Sequence, residues 1–428
     1  MANTKIVSLA VVAILVIAGI AAVVMMNDND DDSNNVTKDF AGQEIVPVKN
    51  LDNGIVAVGQ DSMRWVTYFG LADKCVMVDM NDMSNYLGKS FMYTGRAVVN
   101  IEGGNSATLT GSDAARMYFT HTNCGITDED VKTILKLKPS IMVVPDEFYN
   151  DYALQMKTLE SEGINTVAIS NIYTFLDKDT LKPTDNLIKQ IDILSKALDQ
   201  PQKGKDLKNT FNYLLDDLAK LRSKIKADEV KTAYVGALAY NGAHGLDSSI
   251  SYYMPMELAG VKNIMSGTVN YEGSGVKTYS ASDIASKMDK DTILLVDASG
   301  YFKNDTNESK GIAKLFQGHD AFIVADYIWT GMNFDTIFVD AYQILRYAYG
   351  DDVLTESELN EKISQVYKLF YGTDKSNRNI STFKSYTVDL PGKDTTIFED
   401  MNAFHLVARH NPIFGTVSID SNGNLSYA

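Results

Sequence analysis

Gln202 to Lys226 runs QKGKDLKNTFNYLLDDLAKLRSKIK, with apolar residues at Leu207, Phe211, Leu214, Leu215, Leu218, Leu221 and Ile225 and Pro201 just ahead. That spacing draws a single apolar stripe along a helix, and proline is at home in a first helical turn. One long helix is therefore expected, and at ~1.5 Å per residue it reaches about 40 Å. Segments on both sides of it carry a different pattern, so the helix is expected to be a stiff spine between two separate halves. An ordinary surface helix within one domain is the simpler alternative.

The flanking pattern is an alternation of short β-branched runs with amphipathic stretches. IVAVG (55–59), CVMVD (75–79), IMVV (141–144) and TVAI (166–169) read as strands. DSMRWVTYFGL, TDEDVKTILKLK and FYNDYALQMKTLESEG between them carry helical spacing. Beyond the long helix KTAYVGAL, TILLVD and AFIVAD repeat the strand pattern, with MPMELAG, ASDIASKM and NFDTIFVDAYQILRYAYG as helices. Strand, helix, strand in series predicts mainly parallel sheets covered by helices. A short echo, KPSIMVV after one acid-led helix and KDTILLV after another, suggests that the two halves are alike.

A chain of 428 residues that is 45% hydrophobic is too long for one ordinary core. Its net charge of −16 comes without a cluster of Lys and Arg, which excludes a nucleic-acid surface. The two cysteines, Cys75 and Cys124, lack CxxC spacing and suggest neither a disulfide scaffold nor a zinc site. GxSxG, HExxH and GxxxxGK[ST] are missing, and His405 and His410 are wrongly spaced for two ligands on one helical face. A cell-surface hydrolase is thus the weaker class of function, and a surface protein that contacts other proteins is a third.

Ile6 to Met26 carries no charge and is long enough, as a helix, to span a bilayer core of about 30 Å. Lys5 precedes it and NDNDDD follows, so the positive-inside bias places Asn27 onward outside the cell. An uncleaved anchor is expected rather than a signal peptide. Sequons at Asn35, Asn304, Asn307, Asn379 and Asn424 agree with that side. The acidic stretch NDNDDDSNNVTKDFAGQE lacks the glycine and closing glutamate of an EF-hand and reads as a solvated tether. The expected organisation is an anchor at 1–26, a tether at 27–44, a first α/β lobe at 45–200, the spine at 201–228, a second lobe at 229–372 and an extension of unassigned role at 373–428.

Over about residues 45–372 the chain resembles the solute-binding proteins of ABC importers for iron-siderophores, haem and cobalamin. The matching pieces are IVAVGQDSMRWVTYFGLADKCVMVD, ILKLKPSIMVV with LESEGINTVAIS, the spine, VGALAYNGAHGLDSS, ELAGVKNI, SDIASKMDKDTILLV and HDAFIVADYIWTGMNFDTIFVDAYQILRYAYG. The resemblance implies two Rossmann-like lobes bridged by a rigid helix, a small-molecule metal chelate held between them, and a permease with its ATPase as partners. YNGAHG and IWTGMN look most like binders of iron complexes. No resident cofactor and no catalysis are implied, and a monomer is expected.

In open α/β sheets ligands bind beyond the carboxyl ends of the strands. In the first lobe that selects Gln60, Asp61, Ser62, Met63, Arg64 and Trp65 after IVAVG, and Asp146, Glu147 and Phe148 after IMVVP. Tyr93 and Arg96 in FMYTGR join them, an arginine beside aromatics being suited to an anionic chelate. In the second lobe His244 sits between glycines in YNGAHG, Tyr252 and Tyr253 follow, and Tyr327, Trp329 and Asn333 lie beyond AFIVA. Trp65 and Trp329 either wall a cleft from opposite lobes or pack in the cores. Arg64 and Arg96 either hold ligand or make surface ion pairs. The family also docks acidic side chains on its permease; Glu129, Asp130 and Asp283 are offered here at helix starts, although Lys132 and Ser282 occupy the usual glutamate positions.

Overall fold

The computed structural model describes residues 36–79, 97–101, 106–110, 116–240, 244–267, 275–328, 331–371 and 415–427. The expected anchor, most of the tether, Tyr93, Arg96, Trp329 and most of the carboxyl-terminal extension lie outside the described residues. Among the described residues no helix is long and apolar enough to cross a membrane.

The first half is built on β1 (Ile55–Ala57), β2 (Cys75–Val78), β3 (Ala97–Ile101), β4 (Ser106–Thr110), β5 (Arg116–Phe119), β6 (Ile141–Pro145) and β7 (Thr166–Ile169). These lie in the order β3-β4-β5-β2-β1-β6-β7. From β5 to β7 all neighbours run parallel, and β3 and β4 are added antiparallel at one edge. The runs IVA and IMVVP are buried throughout, as expected of parallel strands covered on both faces. FYNDYALQMKTLES, expected as one helix, is two, Phe148–Asp151 and Ala153–Ser161. They part at Tyr152, which leaves helical geometry and packs its ring on Phe148 at 4.8 Å.

The second half has β8 (Thr232–Gly236), β9 (Ser248–Ile250), β10 (Lys262–Asn263), β11 (Val276–Thr278), β12 (Ile293–Asp297) and β13 (Ala321–Val324). A wholly parallel sheet runs β10-β8-β12-β13, with β9 and β11 as a separate antiparallel ribbon. The mainly parallel α/β class is thus observed in both halves.

The spine is the helix Pro201–Arg222, about 33 Å long. Leu207, Phe211, Leu214, Leu215, Leu218 and Leu221 are all buried along it. It stops short of the expected residue 228 because Lys224 and Ile225 turn their N–H groups back onto Leu221 O and Arg222 O. The helix Asp185–Ala197 of the first half packs on it, as do Met254–Ala259, Phe334–Tyr349 and Glu356–Tyr371 of the second. One core therefore runs through both halves.

Rings concentrate where the halves meet. Trp65 lies 5.2 Å from Phe334, Tyr68 4.9 Å from Phe370, and Phe211 of the spine 5.4 Å from both Phe175 and Phe370. Helix Glu356–Tyr371 thus closes the second half and returns to the first. The extension ends as a hairpin, β14 (Val417–Ile419) and β15 (Leu425–Tyr427), on the outer edge of β13. There Ile323 N–H donates to Gly415 O at 3.2 Å. Asn304 Nδ2 reaches Gly423 O at 3.1 Å and Gln317 Nε2 reaches Asp420 O at 2.6 Å. Cys75 is buried and Cys124 half-buried, and the two do not form a disulfide.

Candidate functional site

Beyond β1 the chain turns at Gly59, with φ +86°, and Asp61, with φ +64°. A side chain at Gly59 would collide with Pro145 and the ring of Phe148, so the close approach of this turn to β6 needs glycine. Gln60 Nε2 then donates to Tyr173 Oη at 3.0 Å, linking the loop after β1 to the loop after β7. Between them, past β6, stand half-buried Asp146 and exposed Glu147, whose Oε2 accepts from Asn171 Nδ2 at 3.0 Å.

Burial pushes the Tyr173 hydroxyl up to about 12 against the bond from Gln60, and Tyr240, Asp61 and Glu147 bear on it electrostatically. Tyr240 belongs to the second half, four residues past β8, so its influence on Tyr173 brings loops of the two halves within electrostatic reach of each other. His244 is exposed beside it, with Nε2 3.0 Å from Tyr240 O. Burial also raises the carboxyls of Asp146 and Glu147 above their usual range. Loop residues beyond β1, β6 and β7 of the first half and beyond β8 of the second thus supply hydroxyl, carboxylate, amide and imidazole groups.

Several expected contacts are elsewhere. Ser62 is buried and donates its hydroxyl to Val58 O at 2.9 Å, a bond within its own turn. Arg64 contacts the Asp61 carboxylate and crosses to the second half, donating to Met332 O at 2.5 Å and Asn333 Oδ1 at 2.7 Å. Trp65 is fully buried between Tyr68 and Phe334, and its Nε1 has no hydrogen-bond partner among the described residues. The helix Ser62–Tyr68 is instead part of the joint between the halves, with six of its seven residues buried and Arg64 and Trp65 both reaching the second half.

In the second half Tyr253 and Tyr327 are buried with ring centroids 4.6 Å apart, and Tyr253 donates to Asp340 Oδ2 at 3.1 Å. They pack the core. Tyr252 is nearly buried, and Lys178 of the first half sits over its ring at 5.2 Å. Of the expected contacts that are described, Asp146 is half-buried and His244 exposed, both on loops beyond strand ends. Tyr173 and Tyr240 were missed, although both follow strand ends by a few residues, the same signal that selected the others.

The acids at helix starts divide in two. Asp130 is buried as the capping partner of Thr127, accepting Thr127 N–H at 2.8 Å with His121 Nδ1 2.7 Å away, and is unavailable to a partner. Glu129 and Asp283 are exposed, the first 2.9 Å from Lys132 Nζ and the second bonded to the Ser280 hydroxyl at 2.7 Å.

The described chain is thus two α/β halves joined by a helix, with polar loop residues beyond the strand ends of each. Among solved structures the chain is similar to MolA, the molybdate periplasmic binding protein of Haemophilus influenzae, at TM-score 0.53 and 17% identity over 79% of this chain and 98% of that one. It is also similar to a periplasmic solute binding protein from Veillonella parvula, at TM-score 0.52 and 15% identity over 81% and 95% of the two chains. No family model and no curated protein matches the sequence. The chain therefore has the fold of the periplasmic solute-binding proteins of ABC transporters.

Proposed function

We propose that the chain is an extracellular solute-binding protein that captures a small ligand between its halves and delivers it to an ABC importer. The convergence of Gln60 and Tyr173 of one half with Tyr240 of the other carries this reading. The structures it resembles are binding proteins, in keeping with a role in transport and not catalysis. The apolar segment 6–26 would hold it at the membrane, and Glu129 and Asp283 would meet the permease.

The ligand proposed is an iron complex of the siderophore type. Phenol, carboxylate and imidazole groups at the opening suit a chelate with hydroxyl-rich or cationic surface. Asp146 and Glu147 repel a free oxyanion, and Arg64, which could have offset them, is committed to Asp61 and Asn333.

Fluorescence titration of the full chain in detergent decides among a ferric trihydroxamate, a ferric triscatecholate, haem, cobalamin and molybdate. Saturable binding of the uncharged ferric trihydroxamate supports the reading in full, and binding of the trianionic triscatecholate alone keeps the siderophore cargo but overturns the charge argument. Binding of haem or cobalamin alone keeps the transport role and changes the cargo. No saturable response to any of the five, with no small molecule co-purifying, rejects it.

A further inference from the structure

Two carboxylates hold equivalent places in the two halves. Asp79 directly follows β2, which lies between β5 and β1, and Asp297 ends β12, which lies between β8 and β13. Both are buried, and both reach sideways to the loops beyond the two flanking strands. Asp79 Oδ2 accepts Gly59 N–H at 2.9 Å, past β1, and its Oδ1 accepts Cys124 N–H at 2.9 Å, past β5. Asp297 Oδ2 accepts Tyr327 N–H at 3.0 Å, past β13. Its Oδ1 accepts Ser299 N–H at 2.9 Å and the Ser299 hydroxyl, and Ser299 Oγ accepts Ala239 N–H at 3.2 Å, past β8.

The loops held in this way are the ones that carry residues of the proposed solute site. Gly59 precedes Gln60 and Asp61, and Ala239 precedes Tyr240. Each loop also contains a non-glycine residue in the left-handed region, Asp61 at φ +64° and Ala237 at φ +66°. Such conformations persist only where the surroundings impose them. Around Ala237 the fit is close: a side chain on Gly300 would collide with Ala237 O and His244 O. An apolar residue would end either strand at less desolvation cost than a buried carboxylate. A carboxyl group, ionised or protonated, keeps an acceptor lone pair on each of its two oxygens for two neighbours, whereas an amide offers one acceptor oxygen and turns a donor on the second N–H.

We propose, resting on the reading of the opening as a solute site, that Asp79 and Asp297 are matched positioning residues. Each uses its two oxygens to fix the loop that presents the solute contacts of its half.

The test is amide hydrogen exchange on the ligand-free full chain in detergent, followed by titration with whichever of the five probes the wild type binds. Asp297→Asn should speed exchange by about tenfold at Ala239 and Tyr327 and leave Gly59 unchanged. Asp79→Asn should do the reverse, at Gly59 and Cys124. Ser299→Ala, a milder change, should loosen Ala239 and spare Tyr327. Each variant should weaken probe binding by about tenfold, since the loosened loop must then be ordered on binding. Unchanged exchange in these loops, or a rise spread evenly over β8, β12 and β13, overturns the proposal. A wild type that binds no probe rejects the solute reading alone, because the exchange result is obtained without ligand.

Discussion

Arg64 Nη2 donates to Asn333 Oδ1 at 2.7 Å, joining the helix that follows β1 to the loop that follows β13. Asn333 passes the connection on, donating through Nδ2 to Asp326 Oδ2 at 2.7 Å, while Arg64 also engages Asp61 and Met332 O. Asp61 in turn fills the space a side chain on Gly331 would need. The two halves are therefore pinned together directly behind the proposed site.

Replacing Arg64 by alanine leaves the Asp61 carboxyl buried, where desolvation raises its pKa and Arg64 opposes the rise. A loss of about 3 kcal/mol in unfolding free energy is expected, as for other broken buried pairs. Denaturant melts should show it. Adding Asp61→Ala to Arg64→Ala should recover part of the loss; strictly additive costs would mean that the pair is not coupled.

The burial of Trp65 separates packing from binding. Trp65→Phe should lower stability by about 1–3 kcal/mol through unfilled volume and leave probe affinity within about threefold. Tyr240→Ala should cost little stability and weaken binding by about tenfold or more. Paired melts and titrations check both, and the opposite pattern would return Trp65 to the ligand.

Burial pushes the Asp297 carboxyl up from 3.8 to about 8, against its bonds from Ser299 and Tyr327 and with Asp326 nearby adding to the rise. Asp340 is pushed well up for the same reason, with Asp297 next to it. Between about pH 4 and 8 the folded chain then holds a proton that the unfolded chain has released, so this group's contribution to stability falls as pH rises through that window. Asp297→Asn cannot titrate. Its melting temperature should fall less steeply from pH 4.5 to 8 than the wild type's, and equal slopes would count against the raised pKa.

The terminal hairpin covers an open edge. Thr416, just ahead of β14, bridges to Phe322, and the Phe322 ring stacks on Tyr347 at 4.1 Å, whose hydroxyl donates to Ile323 O and accepts Gly415 N–H. A chain ending at residue 414 would expose the N–H and C=O groups of β13 on that side. Concentration-dependent self-association by light scattering is expected, since uncovered edges pair with other strands. A truncated chain that stays monomeric would show that the hairpin has another purpose.

How far the sequence reached follows from the range of each signal. Hydrophobic periodicity is local, and it sufficed for β1, β2, β6, β7, β8, β12 and β13, for the spine, and for the parallel α/β class. Those elements are buried on both faces or along one stripe, so composition alone marks them. β5, RMYF, and the two-residue β10 are too short and too ordinary in composition to stand out, and their strand character comes from pairing with β2 and β8. Strand-end logic likewise selected Asp146 and His244, which the fold leaves accessible on loops beyond β6 and β8. It could not tell an accessible loop residue from one facing the opposite half, because that depends on how two distant segments pack. Trp65, Arg64, Tyr253 and Tyr327 became core or joint through partners 74 to 269 residues away, such as Asn333 and Asp340. The chain's own pattern determined that two halves would form and where their loops would lie; only tertiary packing decided which side chains those loops leave for a ligand.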